Sequence, residues 1–269
     1  MIGLMFPELM LANHRSGWNV DRDDLDDDPV DEFSIPILFG VQHNEVIRDF
    51  GDLRGGGTRL HEGQDMHAPQ GTPIVSPTEA IVIRTGTGPS AGKYVYTANP
   101  GGETFRYMHL DDIADLDPGD ELDVGDLIGT VGDTGNAPDG VYHLHFEVRD
   151  DDNDATDPYP RLDEAFTVKE KMSFLRDILR NFRSSERKEY AQFLVKTFTE
   201  DFQEALREDY DFPDEIEDAM DDIGIVSAAK LQDQLNELIA SIPRILSLEL
   251  ENGDSGAAVQ LLQLFLIYS

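Results

Sequence analysis

The chain has 269 residues, 39% of them hydrophobic, with 55 acidic against 21 basic side chains and a formal charge of -34. That is enough chain and apolar content for one large or two ordinary folded domains, but the charge argues against nucleic acid and anionic membrane surfaces as partners. No apolar run approaches the ~20 residues of a membrane span, and the absence of cysteine leaves any metal to histidine and carboxylate ligands.

Residues 1–17, MIGLMFPELMLANHRSG, lack a basic start and are interrupted by Pro7 and Glu8, so they do not read as a signal peptide. Residues 21–32, DRDDLDDDPVDE, carry eight acids and read as a flexible acidic linker within an N-terminal segment 1–34. They lack the glycine that a calcium loop needs at its sixth position.

From residue 35 to 162 short β-like runs (IVIRT, KYVYTA, TFRYMHL, DLIGTV, HLHFEVR) alternate with Gly/Pro turns such as GGG, NPGG and DPGD. This pattern predicts a mainly β domain of antiparallel sheets. The spacing then becomes helical over 163–243. Met172, Leu175, Leu179 and Phe182 recur at three- and four-residue steps, as do Tyr190, Leu194, Phe198, Phe202 and Leu206. Pro213 stands where a further helix, DEIEDAMDDIG, would begin, and AAKLQDQLNELIAS continues to Pro243. The expected fold is therefore a β domain followed by an α-helical C-terminal region. The helical stripes read as bundle core and carry no histidine.

Of seven histidines, six fall in the β-rich block. In HEGQD, His61 and Asp65 lie four apart, but Gly63 argues against a helix and against the HExxH motif of helical zinc sites, so Glu62 reads as incidental. In HLHFEV, strand alternation puts His143, His145 and Glu147 on one face and Leu144, Phe146 and Val148 on the other. Two imidazoles on one open strand face suit a metal ligand beside a substrate-facing group.

HxxxD (His61, Asp65), YMHL (His109) and HLHFEV, in this order, resemble the lysostaphin-type, or LytM-like, zinc endopeptidases, as do the phrases APQGTPIVSPTEAIV and LDPGDELDVGDLIGTVGDTG between them. The resemblance runs over about residues 35–150. It implies one Zn2+ held by His61, Asp65 and His145, and catalytic roles for His109 and His143. One of that pair takes a proton from the water that the zinc activates, and the other supports charge on the carbonyl oxygen. Two histidines and one carboxylate with a position left open is also the composition of a catalytic zinc site. Hydrolysis of peptide bonds in peptidoglycan cross-links or stem peptides, outside the cell or in its envelope, is what the family would do.

The sequence departs from the family in places. A tyrosine usual before the first ligand is replaced by LRGGGTRL, so that oxyanion support is either absent or supplied by Arg59 or Tyr107, and Tyr142 stands where a small residue or proline is usual and would narrow the cleft. Glu147 reads either as an acceptor orienting a ligand imidazole or as a salt-bridge partner of Arg149 or Arg106. His67 reads as a surface residue near the site, His14 and His43 as plain surface histidines. Residues 244–269 resemble the opening of a helical peptidoglycan-binding repeat (GxxGxxVxxLQxxL). The rival reading is an inactive member of the family that binds and activates another wall hydrolase; the presence of all five site residues disfavours it. Abundant aspartate with few lysines resembles the proteins of halophiles, whose acidic surfaces depend on counterions.

Overall fold

Glycine-rich turns and β-branched runs close the middle of the chain into sheets. The computed structural model describes residues 22, 24–226, 231–233 and 235–241. These group into two compact units, Met1–Ala219 and Met220–Ser269. His14 and the repeat-like segment 244–269 lie outside the described residues.

Strands β1 (Leu53–Arg54) and β2 (Arg59–Leu60) form a two-stranded hairpin across the GGG turn. The other strands make a nine-stranded sheet: β3 (Gln64–His67), β4 (Pro73–Val75), β5 (Ala80–Gly88), β6 (Gly92–Ala98), β7 (Thr104–Ile113), β8 (Glu121–Leu122), β9 (Leu127–Val131), β10 (His143–Arg149) and β11 (Ala155–Thr156). Its main path runs β11-β10-β7-β6-β5-β8, with β3 added to β10 and with β9 joining β7 to β4. Every named pairing is antiparallel. The mainly β expectation thus holds for this block, and helices follow it.

β10 sets the geometry of everything that follows, because it pairs with β3, β7 and β11. Its Leu144, Phe146 and Val148 enter the main core with Phe105, Tyr107, Ile74 and Val95. Alternation therefore turns His143, His145 and Glu147 to the opposite face, as the sequence pattern predicted.

The acidic segment expected as a free linker is anchored along its described part. Leu25 packs on Ile81, Ile83 and Ala98, and Gly101 N donates to the Asp26 carbonyl at 2.9 Å. Phe33 bridges Leu162, beside a bidentate Arg161–Glu103 pair at 2.6 and 2.9 Å.

Four helices follow: α1 (Val168–Arg180), α2 (Ser184–Thr197), α3 (Thr199–Arg207) and α4 (Asp214–Asp222). Thr167 and Glu170 form a reciprocal capping box at the start of α1, satisfying two backbone donors. The stripe from Tyr190 to Leu206, expected as one run, is broken at Phe198 (φ -116°, ψ 42°), which ends α2 and begins α3. The break lets Phe198 and Phe202 stack on Phe39 at ring separations of 5.1 and 5.8 Å. Gly125 accepts the Phe174 ring so closely that a β-carbon there would lie 2.3 Å from it. The Tyr190 hydroxyl donates to the Gly71 carbonyl at 3.0 Å. Helices α1 to α3 are thus keyed onto the β domain by aromatic side chains. The described residues within 231–241 are also helical, and no helix among the described residues is long and apolar enough to cross a membrane.

Candidate metal centre

The antiparallel register places Asp65 on β3 directly opposite His145 on β10. His61 reaches the same point from the chain just after β2, where its N–H donates to the Asp52 carbonyl at 2.8 Å. Three atoms converge. His61 Nε2 lies 3.1 Å from Asp65 Oδ1 and 2.9 Å from His145 Nδ1, and His145 Nδ1 lies 2.9 Å from Asp65 Oδ1. Zinc takes histidine nitrogen and carboxylate oxygen at about 2.0–2.2 Å, and atoms spaced this way can all reach one point at that distance. Among the described residues this is the one His/Asp/Glu group that could hold a metal ion.

Each of the three is oriented from behind. His61 Nδ1–H donates to the Asp49 carbonyl at 2.9 Å, leaving its Nε2 lone pair inward. His145 Nε2–H donates to Glu147 Oε1 at 3.2 Å, leaving Nδ1 inward. Asp65 Oδ2 accepts from Arg54 Nη2 at 3.3 Å, so that Oδ1 is the free oxygen. Such outer partners fix tautomer and ring orientation at metal sites. Glu147 thus contacts His145 and also pairs with Arg149 at 2.8 Å and Arg106 at 3.3 Å.

The electrostatics follow. Burial disfavours charge on His61, but the Asp49 and Asp65 carboxylates outweigh it and raise the imidazole to about 9. Burial likewise opposes ionisation of Asp65, yet hydrogen bonds from His145 and His61 hold its carboxyl well below the usual range. His145 is raised, because Asp65 and Glu147 overcome its burial. The cluster is built to hold positive charge.

His109 and His143 stand beside it. Their ring centroids are 4.9 Å apart, His109 is 5.9 Å from His145, and His143 Nε2 is 3.8 Å from Asp65 Oδ1. Both rings share one local arrangement: Nδ1 lies 2.7 Å from the Thr134 carbonyl in His109 and 2.8 Å from the Val141 carbonyl in His143. A carbonyl only accepts, so the proton sits on Nδ1 and Nε2 presents its lone pair to the cleft. Burial lowers His109 to about 4, against the opposing pull of the Thr134 carbonyl. Its backbone is left-handed (φ 62°) within β7, where the pairing is irregular on both sides. Non-glycine residues adopt that conformation at a cost, often at functional positions.

These side chains line a cleft of about 560 Å³ that also includes Arg59, Glu62, His67 and Arg106. Two expected cleft residues are elsewhere. Tyr107 is fully buried among the core aromatics, so its hydroxyl faces no substrate, and Tyr142 packs against the same core. His67 is exposed and pairs across strands with His143, their rings 5.6 Å apart. His43 is not a plain surface residue, because it packs on Tyr159 at 4.9 Å.

Two supporting residues escaped the sequence reading. Asp49 acts through both its backbone carbonyl and its carboxylate, which meet His61, Arg54 and Asp65 by contacts that no motif marks. Arg54 was detectable only by seeing that the GGG turn folds it back beside Arg59, His61 and Asp65.

Residues 59–158 match the family model described as Peptidase family M23. The L-Ala–D-Glu endopeptidase of Bacillus subtilis is 32% identical over 140 residues, 48% of this chain and 42% of that protein. The peptidoglycan DD-endopeptidase ShyA of Vibrio cholerae is 34% identical over 88 residues, 33% of this chain and 20% of that protein. The chain thus spans less than half the length of these curated relatives. Among solved structures, the catalytic domain of lysostaphin from Staphylococcus simulans is 26% identical, with 44% of this chain and 92% of that one covered and a TM-score of 0.39.

Proposed function

Residues 59–158 are a Peptidase family M23 domain, and on that footing we propose that this chain is a zinc-dependent endopeptidase that hydrolyses peptide bonds in peptidoglycan, outside the cell or in its envelope. The observation that carries the reading is the triangle of His61 Nε2, Asp65 Oδ1 and His145 Nδ1 beside two imidazoles with inward Nε2 lone pairs.

His61, Asp65 and His145 would hold the ion, which when bound supplies Lewis acidity that acidifies water and polarises the scissile carbonyl. The remaining work falls to His109 and His143. The Nε2 of one accepts a proton from the attacking water and returns it to the leaving amine nitrogen, so that water and peptide become a carboxylic acid and an amine. The other stands over the carbonyl oxygen, where an Nε2–H in the protonated ring would donate to the developing negative charge. Thr134 and Val141 hold the Nδ1 proton of both rings, which leaves Nε2 of each to take up or release a proton in the cleft. Arg54 holds Asp65 by its outer oxygen, leaving the inner oxygen for the metal.

The test is clearing of a peptidoglycan suspension by the purified chain. Clearing should stop with a chelator and return with added zinc. A zinc-loaded chain that clears nothing, yet increases the rate of a second wall hydrolase, would instead identify it as an inactive activating module.

A further inference from the structure

The cleft reverses the charge balance of the molecule. It is lined by Arg54, Arg59, Arg106 and Arg149 against Glu62, Asp65 and Glu147, in a chain with 21 basic and 55 acidic side chains. Three of these arginines are engaged. Arg54 pairs with Asp49 at 2.6 Å and Asp65 at 3.3 Å. Arg106 pairs with Glu147 at 3.3 Å and bonds Asn153 at 2.8 Å, and Arg149 pairs with Glu147 and Glu62. Arg59 differs from them, being exposed and having no hydrogen bond or ion pair among the described residues.

The hairpin makes that freedom costly. Its register sets Arg59 directly opposite Arg54, and like charges facing each other across paired strands repel. The intervening glycines all have positive φ (59°, 71° and 89°), a turn that fixes this pairing. Arg59 also precedes His61 by two residues in extended chain, so both side chains leave on one face, and both line the cleft. A cation with no ion-pair partner among the described residues thus lines the same cleft as His61.

We propose that Arg59 binds a free carboxylate of the substrate close to the scissile bond, so that the preferred substrate is an anionic wall peptide rather than a neutral oligoglycine. This rests on the endopeptidase reading above. A carboxylate matches the planar guanidinium in two parallel hydrogen bonds and relieves the Arg54–Arg59 repulsion. The net charge of -34 repels anions at a distance, so the selection is made at contact, in the cleft.

The experiment uses the zinc-loaded full chain and two synthetic wall peptides of identical sequence. One carries a free carboxylate on the residue flanking the scissile bond, and the other carries its primary amide. The wild type should show a kcat/KM about tenfold higher for the free acid, the scale of one charged hydrogen bond. Arg59→Gln should bring the free-acid to amide ratio of kcat/KM to about one, and Arg59→Lys should keep part of the preference, with zinc content unchanged in both. Equal loss on both peptides would overturn the assignment and make Arg59 a support for the carbonyl oxygen. A wild type that cuts both peptides equally well removes this inference and leaves the endopeptidase reading intact; cleavage of neither overturns both.

Discussion

His61 Nε2 and His145 Nδ1 stand 2.9 Å apart, two nitrogens at hydrogen-bonding distance that both aim at the same point. Without a cation at that point at least one of them carries a proton, donated to the other ring or to Asp65 Oδ1. Zinc must displace it, since histidine binds metal only as the neutral ring. With His61 raised to about 9, that proton is present throughout the neutral range. Zinc binding at pH 7 should therefore release at least one proton per ion, and apparent affinity should climb about tenfold per pH unit between pH 6 and 8. Titration with a competing chelator at several pH values measures both, and a pH-independent affinity would remove the His61–His145 pair from the site.

The two histidine sets should separate on mutation. Asp65→Ala should lose zinc and activity together, because it removes one ligand and leaves Arg54 without a partner on that side. His143→Ala should keep one zinc per chain and lose about 10²–10⁴ in kcat, the usual contribution of a positioned acid–base group. Metal analysis beside kinetics decides this. Loss of zinc from His143→Ala would show that the division between ligands and proton carriers is wrong.

The same shifts predict how the metal-free chain responds to pH. His61 is raised, so its contribution is fully present below its unfolded value of about 6.5 and is lost as pH rises through about 9. His109 is lowered to about 4, so the unfolded chain takes up a proton first and stability falls as pH drops from about 6.5 towards 4. Asp65 and Glu147, both lowered, add to the loss on the acid side. Thermal unfolding in chelator should therefore peak near neutrality, and zinc should abolish the alkaline decline, since the His61 proton is then already gone. An alkaline decline of the same size with zinc bound would contradict the assignment.

Much of this site was legible because β10 alternates. A period of two in HLHFEV separates Leu144, Phe146 and Val148 from His143, His145 and Glu147 without any tertiary information. The HxxxD and YMHL segments acquired roles only through their resemblance to a family, because β3 and β7 meet β10 by long-range pairing that spacing does not encode. Asp49 and Arg54 were invisible for the same reason. The break at Phe198 was hidden by helical phase: the apolar stripe continues through it, and the kink answers to Phe39 in the β domain. Tyr107 stood as one candidate for oxyanion support because an aromatic in a strand beside His109 is equally compatible with cleft and core; it is fully buried. Only the register, which sets Phe146 opposite it, turns it inward.

Helix docking gives a prediction remote from the chemistry. Alanine at Gly125 would place its β-carbon 2.3 Å from the Phe174 ring, on a backbone of φ +95°. Gly125→Ala should cost about 1–3 kcal/mol through overpacking and backbone strain, measured by denaturant unfolding, with zinc stoichiometry unchanged. A neutral substitution would mean that α1 is not seated on this turn.

The acidic surface predicts a salt response. At ~1 M salt the screening length is about 3 Å, so most of the repulsion from a net charge of -34 is removed. We propose a halophilic adaptation in which melting temperature and turnover of a neutral peptide both rise between ~0.1 and ~2 M sodium chloride. A melting temperature that is flat or falls across that series would refute it, without touching the metal centre.

The central claim is that the His61–Asp65–His145 centre cuts wall peptides. Mass spectrometry of purified peptidoglycan digested by the zinc-loaded chain tests it most directly, with His143→Ala as the control. The account predicts fragments that each gain one water at a single type of peptide bond, exposing a new amine, from the wild type and not from the variant. An unchanged fragment pattern from a chain carrying one zinc ion would contradict it.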